Sequence, residues 1–404
     1  MNIMDVKKLR EDVFKRTDKL IKTHGPRLAG TKAALATADD LKAELETFSD
    51  WVASEDFIIH KGAFLGWIRL LVIAYIASVT LLWFKLPLYA LIIAALALLI
   101  LVLQFFLYLP LLDIFYPRKK ARNVYGVLEP EKEVKQQIIV SGHHDSAHTF
   151  NFLIHQPKLY NLRTTGSIAL VILLIVVSAY LLIYPPLTTL NLILKIVLSG
   201  GTLLVGQMWF FASKTATPGA GDNLVASALA LTIGQYYKEQ KSAGKGLQHT
   251  RLILMSFDAE EEGLRGARSY AKKHLKEFKE TPTIGLNMDC LYDERELFFL
   301  TSDLNNFVAL DVALATELAT IASQHGEKVT TQKLAFLTGG TDAAELAKKG
   351  VRVTTAIGMP WSNENRSNVY HTPQDTLDNV RPAVVEQILK TYIEFIEKAD
   401  QKIN

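Results

Sequence analysis

Two apolar blocks interrupt this 404-residue chain, and any fold it adopts has to accommodate them. The first spans residues 65–115 and the second residues 165–212. Within the first, residues 68–84 are almost unbroken apolar sequence, Lys85 and Pro87 mark a turn, and residues 88–112 form a second run. Within the second, residues 167–184 and 190–211 are joined at Pro185-Pro186, with Lys195 and Ser199-Gly200-Gly201 interrupting the later run. A helix crosses about 30 Å of hydrocarbon with about 20 apolar residues, so each block reads as a transmembrane helical hairpin. These blocks account for an apolar share of 49% and a mean hydropathy of +0.16, both high for a soluble enzyme.

Removing the blocks leaves roughly 300 residues of ordinary globular composition, enough for one large domain with its own core. The expected organisation is therefore a catalytic domain of residues 1–64, 116–164 and 213–404, with hairpins inserted at 65–115 and 165–212. The net charge is +3 and no basic cluster is interleaved with aromatics, which argues against a nucleic-acid partner. Cys290 is the single cysteine, so neither an intramolecular disulfide nor a cysteine zinc site is available. Residues 1–20 carry Lys7, Lys8, Arg10, Glu11 and Asp12 without an apolar core, unlike a secretory signal.

Outside the hairpins, helical spacing is read at Val6, Leu9, Val13, Leu20 and Ile21, and again at Leu41 and Leu45. Strands are expected at 51–59, 123–128, 137–140, 252–257, 283–287, 297–300 and 351–357. Helices are expected at 223–237, 266–278, 307–325, 343–349 and 384–399. Strands alternating with helices predict an α/β fold: a mostly parallel mixed sheet flanked by helices, with two inserted transmembrane helical hairpins. Ligands of such sheets bind at the carboxyl ends of the strands.

Several metal-ligand residue types fall at or just beyond those ends. His143-His144-Asp145 follows one strand, and Asp145 stands where it can accept the other ring N–H of His143. Asp222-Asn223 follows Pro218-Gly219-Ala220-Gly221 and, taken alone, reads as a helix N-cap. Glu260-Glu261-Glu262-Gly263 offers adjacent carboxylates, one able to hold a metal and the other to take a proton from water. Asp289 ends a further strand, and His371 lies in the loop Tyr370-His371-Thr372-Pro373-Gln374-Asp375. Two imidazoles with three carboxylates form an N/O donor set suited to a pair of Zn²⁺ ions. Surplus histidines such as His144, His148 and His155 read as solvated loop residues, and Cys290 as a small buried apolar residue.

In order and wording these motifs resemble the M28 family of co-catalytic zinc exopeptidases, which includes aminopeptidases, glutamate carboxypeptidases and the related glutaminyl cyclases. The resemblance rests on Gly25-Pro26-Arg27-Leu28-Ala29-Gly30, His143-His144-Asp145-Ser146, Gly221-Asp222-Asn223, residues 257–264, Asn287-Met288-Asp289, Gly339-Gly340-Thr341-Asp342 and Tyr370-His371-Thr372-Pro373. It implies His143 and Asp289 on one zinc, Glu261 and His371 on the other, Asp222 bridging, Glu260 as general base and acid, and Asp145 behind His143. A shift of one residue would instead make Glu261 the base and Glu262 the ligand; Gly263 favours the first frame. Tyr370 and Asp342 are candidates for the substrate pocket, Tyr370 alternatively packing and Asp342 alternatively capping the helix after it.

The reading that follows is a membrane-bound dinuclear zinc exopeptidase acting on peptides, most simply an aminopeptidase. The alternatives are a non-catalytic receptor or scaffold on the same fold, or a glutaminyl cyclase-like acyltransferase. The small-residue patch Ser199-Gly200-Gly201 could pack helices within one chain or between chains, the latter giving an oligomer. Basic residues concentrate on the domain side of the hairpins, at Lys61, Arg118, Lys119, Lys120, Arg122, Lys158, Arg163 and Lys214, against Lys85 at a tip and Lys195 near the other. By the positive-inside rule the catalytic domain is expected to face the cytoplasm, with four spans in the bilayer.

Overall fold

Two β-strands buried along their whole length, Gln136–His143 and Thr283–Leu291, pair in parallel and lie at the middle of one sheet. Even their polar residues, such as Gln137, Ser141 and Asn287, are buried, because helices cover both faces of such a sheet. The computed structural model describes residues 3–184, 188–361 and 368–403. The chain divides into two compact units, one of residues 1–59, 118–148 and 216–404, the other of residues 60–117 and 149–215.

The strands are β1 Trp51–His60, β2 Arg118–Leu128, β3 Gln136–His143, β4 His148–Phe150, β5 Ala212–Ala216, β6 Thr250–Phe257, β7 Thr283–Leu291, β8 Leu297–Asp303, β9 Val308–Ala309, β10 Thr330–Lys333 and β11 Arg352–Gly358. Nine of them form a sheet in the order β1-β2-β6-β3-β7-β11-β8-β10, with β9 against β8. The run β6-β3-β7-β11 is parallel, whereas β2 meets β6 and β11 meets β8 in antiparallel fashion. The sheet is therefore the mixed, helix-flanked α/β sheet expected. The helix Val225–Ser242 is buried without a break from Val225 to Gly234, matching a segment with almost no polar face.

Several boundaries differ from expectation for local reasons. The span expected to reach residue 112 ends at Phe106 in a single π-turn, and Pro110 prevents the helix from resuming. The helix expected over 307–325 is Val312–Ala322, because Leu304, Asn305 and Asn306 turn the chain with positive φ and Asp311 supplies the N-cap to Leu314. The helix expected over 266–278 breaks at His274 into Arg265–Lys273 and Leu275–Glu280. The Pro185-Pro186 turn lies outside the described residues.

Among the described residues of the second unit, four helices are long and apolar enough to cross a membrane: Ala63–Trp83, Pro87–Phe106, Pro157–Ile183 and Thr189–Phe210. Their outward positions, among them Ile73, Ile92, Leu96, Ile172, Val176, Ile196 and Leu203, are exposed and apolar. The Tyr75 hydroxyl donates to the Leu198 carbonyl and Trp83 Nε1 to Ser199 Oγ, both at 2.9 Å. The small-residue patch therefore packs helices within the chain. Lys195 lies inside the helix Thr189–Gln207, buried, with its ammonium 5.7 Å from the centre of the Trp83 ring.

At the helix break, His274 stacks on Tyr270, with its ring nitrogens 2.9 Å from Glu277 and 2.8 Å from Glu55. Burial works against its charge, but the bonds to Glu277 and Glu55 outweigh it and push the pKa up to about 9. A folded-state pKa above the ordinary value near 6.5 contributes stability in full below that value and loses it as pH rises through about 9. We predict that His274→Gln costs about 2 kcal/mol near pH 6 and much less near pH 10. Melting curves across pH check this, and a penalty that does not change with pH contradicts it.

Candidate metal centre

Strand register brings the first ligand candidates together. His143 ends β3 opposite Phe257, the last residue of β6, from which the chain turns directly into Asp258–Glu262. Asp289 lies near the end of β7, opposite Ile357 of β11. Asp222 arrives from the opposite direction, on a loop ahead of the helix that starts at Val225. Its φ of −119° and ψ of 80° are not helical, and the Asp222-Asn223 peptide is cis. Leu224 occupies the cap position of that helix, so Asp222 lies two residues outside it and the N-cap reading does not hold.

That carboxylate faces both imidazoles. Asp222 Oδ1 is 3.3 Å from His143 Nε2, and Oδ2 is 3.2 Å from His371 Nε2. His371 Nε2 is also 3.3 Å from Glu261 Oε1, while His143 Nε2 is 3.8 Å from Asp289 Oδ1 and 3.9 Å from Glu260 Oε2. Ligand atoms of His143, Asp222 and Asp289 can converge on one point, and those of Asp222, Glu261 and His371 on another. Among the described residues, Glu260 and Glu261 join such groups and Glu262 does not.

Asp145 does more than sequence suggested. His143 Nδ1 is 3.1 Å from the Asp145 backbone carbonyl and 3.3 Å from Asp145 Oδ1, and the two Asp145 carboxylate oxygens accept the backbone N–H groups of Glu260 and Glu261 at 3.2 and 3.1 Å. One buried aspartate thus aligns an imidazole, with its carbonyl and carboxylate, and fixes the neighbouring glutamates. Tyr370 stacks on the His371 ring at 3.9 Å, so the packing alternative describes its contact with that ligand candidate. Asp342 is buried and makes no side-chain bond to the helix that follows. His144 is buried rather than solvated, 2.9 Å from Ser256 Oγ, and burial pushes its pKa down to about 3, keeping it neutral.

Left-handed backbone recurs at non-glycine residues around the cluster: Ala259, Leu264, Cys290 and His371 all have φ between 49° and 61°. Such conformations cost energy and persist only where surrounding contacts over-determine them, as they do at functional sites. The electrostatics are equally unfavourable for the protein alone. Burial holds Glu260 well above the usual carboxylate range, reinforced by Asp289, Glu261 and Asp342 and opposed by His143. Burial also raises Glu261, Asp289 and Asp342. His143 is pushed well up because Asp145, Asp222 and Asp289 outweigh its burial, and His371 to about 9 because Glu261 and Asp222 do the same. Asp222 is held below the usual range: its burial is more than offset by the two imidazoles.

A metal fits this donor set. Carboxylates outnumber imidazoles, all are buried or nearly so, and His143 Nε2, Asp222 Oδ2 and Asp289 Oδ1 are enclosed with no hydrogen-bond partner among the described residues. Enclosed polar atoms without partners cost several kcal/mol unless a cation completes them.

Residues 206–396 match the model of Peptidase family M28. No curated protein matches the sequence. Among solved structures, the fold is similar to a Zn-dependent exopeptidase from Parabacteroides distasonis, at a TM-score of 0.57 and 14% identity over 96% of this chain and 97% of that one. It is similar to a glutaminyl cyclase from Bacteroides thetaiotaomicron, at 0.57 and 13% over 96% and 97%. It is also similar to an aminopeptidase from an Aneurinibacillus species, at 0.55 and 14% over 96% and 93%.

If cations complete this cluster, they stabilise the fold by binding it in preference to the unfolded chain, by about 2.7 kcal/mol at a hundred times Kd. We expect the melting temperature to fall on chelation and to recover on adding Zn²⁺. An unchanged melting curve contradicts the assignment.

Proposed function

We propose, from the M28 peptidase domain that residues 206–396 constitute, that this chain is a membrane-embedded dinuclear zinc exopeptidase, most simply an aminopeptidase. The observation that carries the reading is the Asp222 carboxylate, which faces His143 on one side and His371 on the other. In this reading His143 and Asp289 hold one zinc, Glu261 and His371 the second, and Asp222 both. Zinc so held supplies Lewis acidity, lowering the pKa of water and polarising a peptide carbonyl.

The chain's own residues do the rest. Glu260 stands beside the ligand cluster as the proton carrier, accepting a proton from the attacking water and returning it to the leaving amine. Asp145 orients His143 and steadies Glu260 through its backbone N–H. Asp342, buried and raised by the same field, is proposed to border the substrate pocket, and Tyr370 to hold His371 by stacking. A scaffold without activity is less well supported, because no ligand or base is missing. A cyclase is also less well supported, because the ligand pairs point to two metals.

The four apolar helices support insertion of residues 60–117 and 149–215 into a bilayer, and the basic flanks support a cytoplasm-facing active site. Two outcomes are expected. Glu260→Gln retains fold and metal content but loses peptide hydrolysis by at least about a hundredfold, measured on aminoacyl-p-nitroanilides; wild-type turnover removes Glu260 from the reaction. In intact cells, Thr188→Cys reacts with an impermeant maleimide while Lys276→Cys stays unlabelled until lysis, and the reverse pattern overturns the orientation.

A further inference from the structure

The loop that carries Asp222 is gripped from two sides by buried charged side chains that take no ligand position themselves. Arg27 is fully buried. Its guanidinium donates to the carbonyls of Pro218 and Gly219, each at 2.9 Å, and to Gly25 at 2.6 Å and His144 at 2.9 Å. Its backbone exchanges bonds with Ser146, donating to the hydroxyl at 2.7 Å and accepting the Ser146 N–H at 3.1 Å. Arg27 therefore joins the segment behind Asp222 to the segment carrying His143 and Asp145. On the amide side, Asp375 Oδ1 accepts the Gly221 N–H at 2.8 Å, and the Asp375 carbonyl accepts the Ala220 N–H at 3.3 Å. Asp375 is fully buried and lies four residues beyond His371.

The glycines of this loop follow from the grip. A Cβ on Gly219, whose φ is +67°, would lie 2.5 Å from the Arg27 guanidinium and 2.8 Å from Ser146 Cβ. A Cβ on Gly221 would lie 2.1 Å from the Tyr292 ring. Side chains are excluded here because Arg27 and Tyr292 press directly on the backbone that leads into Asp222.

We propose that Arg27 and Asp375 are positioning residues of the metal centre, clamping residues 218–221 so that the Asp222 carboxylate spans the two imidazoles. Arg27 ties that loop to the His143 side, and Asp375 ties it to the His371 side. The guanidinium fork is essential to the first tie, since a lysine ammonium cannot reach four carbonyls in fixed directions. The proposal rests on the two-metal reading above. Residues that orient metal ligands from behind commonly change affinity by about 10- to 100-fold when removed.

The test is a titration of the full-length, detergent-solubilised apo protein with Zn²⁺ against a chromophoric chelator, read as separate first and second equivalents. With Asp375→Ala and with Arg27→Lys, the second equivalent binds at least about tenfold more weakly while the first stays near wild type. Asp375→Asn keeps an acceptor oxygen for Gly221 and binds both equivalents within about threefold of wild type; it also serves where the other variants do not fold. The clamp is overturned if Asp375→Ala binds both equivalents like the parent. It is equally overturned if the two equivalents weaken in parallel with a drop in the apo melting temperature, as a purely structural role requires. A parent protein that takes a single equivalent sinks the two-metal reading, and the clamp with it.

Discussion

A single carboxylate pinned between two imidazoles is the interaction on which the rest of the site depends. Asp222 is 3.3 Å from His143 and 3.2 Å from His371, and all three are buried, so their ligand atoms face one another away from water. Everything around it keeps the contact in register. The parallel pairing of β3 with β6 and β7 fixes His143 beside the Glu260-Glu261 turn and Asp289. The left-handed residues at Ala259, Cys290 and His371 bend the chain sharply enough for the ligand atoms to converge.

The cost of this arrangement explains its construction. Several buried carboxylates crowd two imidazoles, and backbone bonds hold the segments around them: Asp145 takes two N–H groups, Asp258 takes that of Arg122, and Asp375 takes that of Gly221, with the buried Arg27 guanidinium as counter-charge to Asp375 and Asp145. Burial and the neighbouring Asp145 push Asp258 up to about 8, and burial with Asp222 pushes Asp375 up to about 7. Such a site is poised for cations, which relieve the repulsion that the fold has concentrated. The apolar helices are organised by a different rule. Their outer faces are mostly apolar, with Arg69 and Thr80 among the exposed exceptions, while the Tyr75 hydroxyl and Trp83 Nε1 bond to a neighbouring helix.

Much of this was legible in sequence where burial leaves a pattern. The apolar runs of β3, β6 and β7 announced strands, and the ligand candidates at their ends followed from the sheet rule. The four long apolar helices were equally plain, apart from the π-turn that ends one at Phe106. Legibility failed where tertiary contacts overrode local preference. Asp222 reads as a cap because Asp before a helix usually is one, whereas its carboxylate faces His143 and His371. β10, Thr330–Lys333, is exposed at every position and so carries no alternation to detect. His274 interrupts a good helical pattern because two glutamates and Tyr270 hold its ring. Arg27 and Asp375 stood in recognisable motifs, yet nothing in their spacing indicated that both reach the same four-residue loop.

The central claim is that Asp222 joins two metal sites. Anomalous diffraction at the zinc absorption edge from crystals grown with Zn²⁺ tests it most directly. Two peaks are expected on either side of the Asp222 carboxylate, one with His143 and Asp289, the other with Glu261 and His371. A single peak, or a pair of peaks that Asp222 does not touch, would contradict the account.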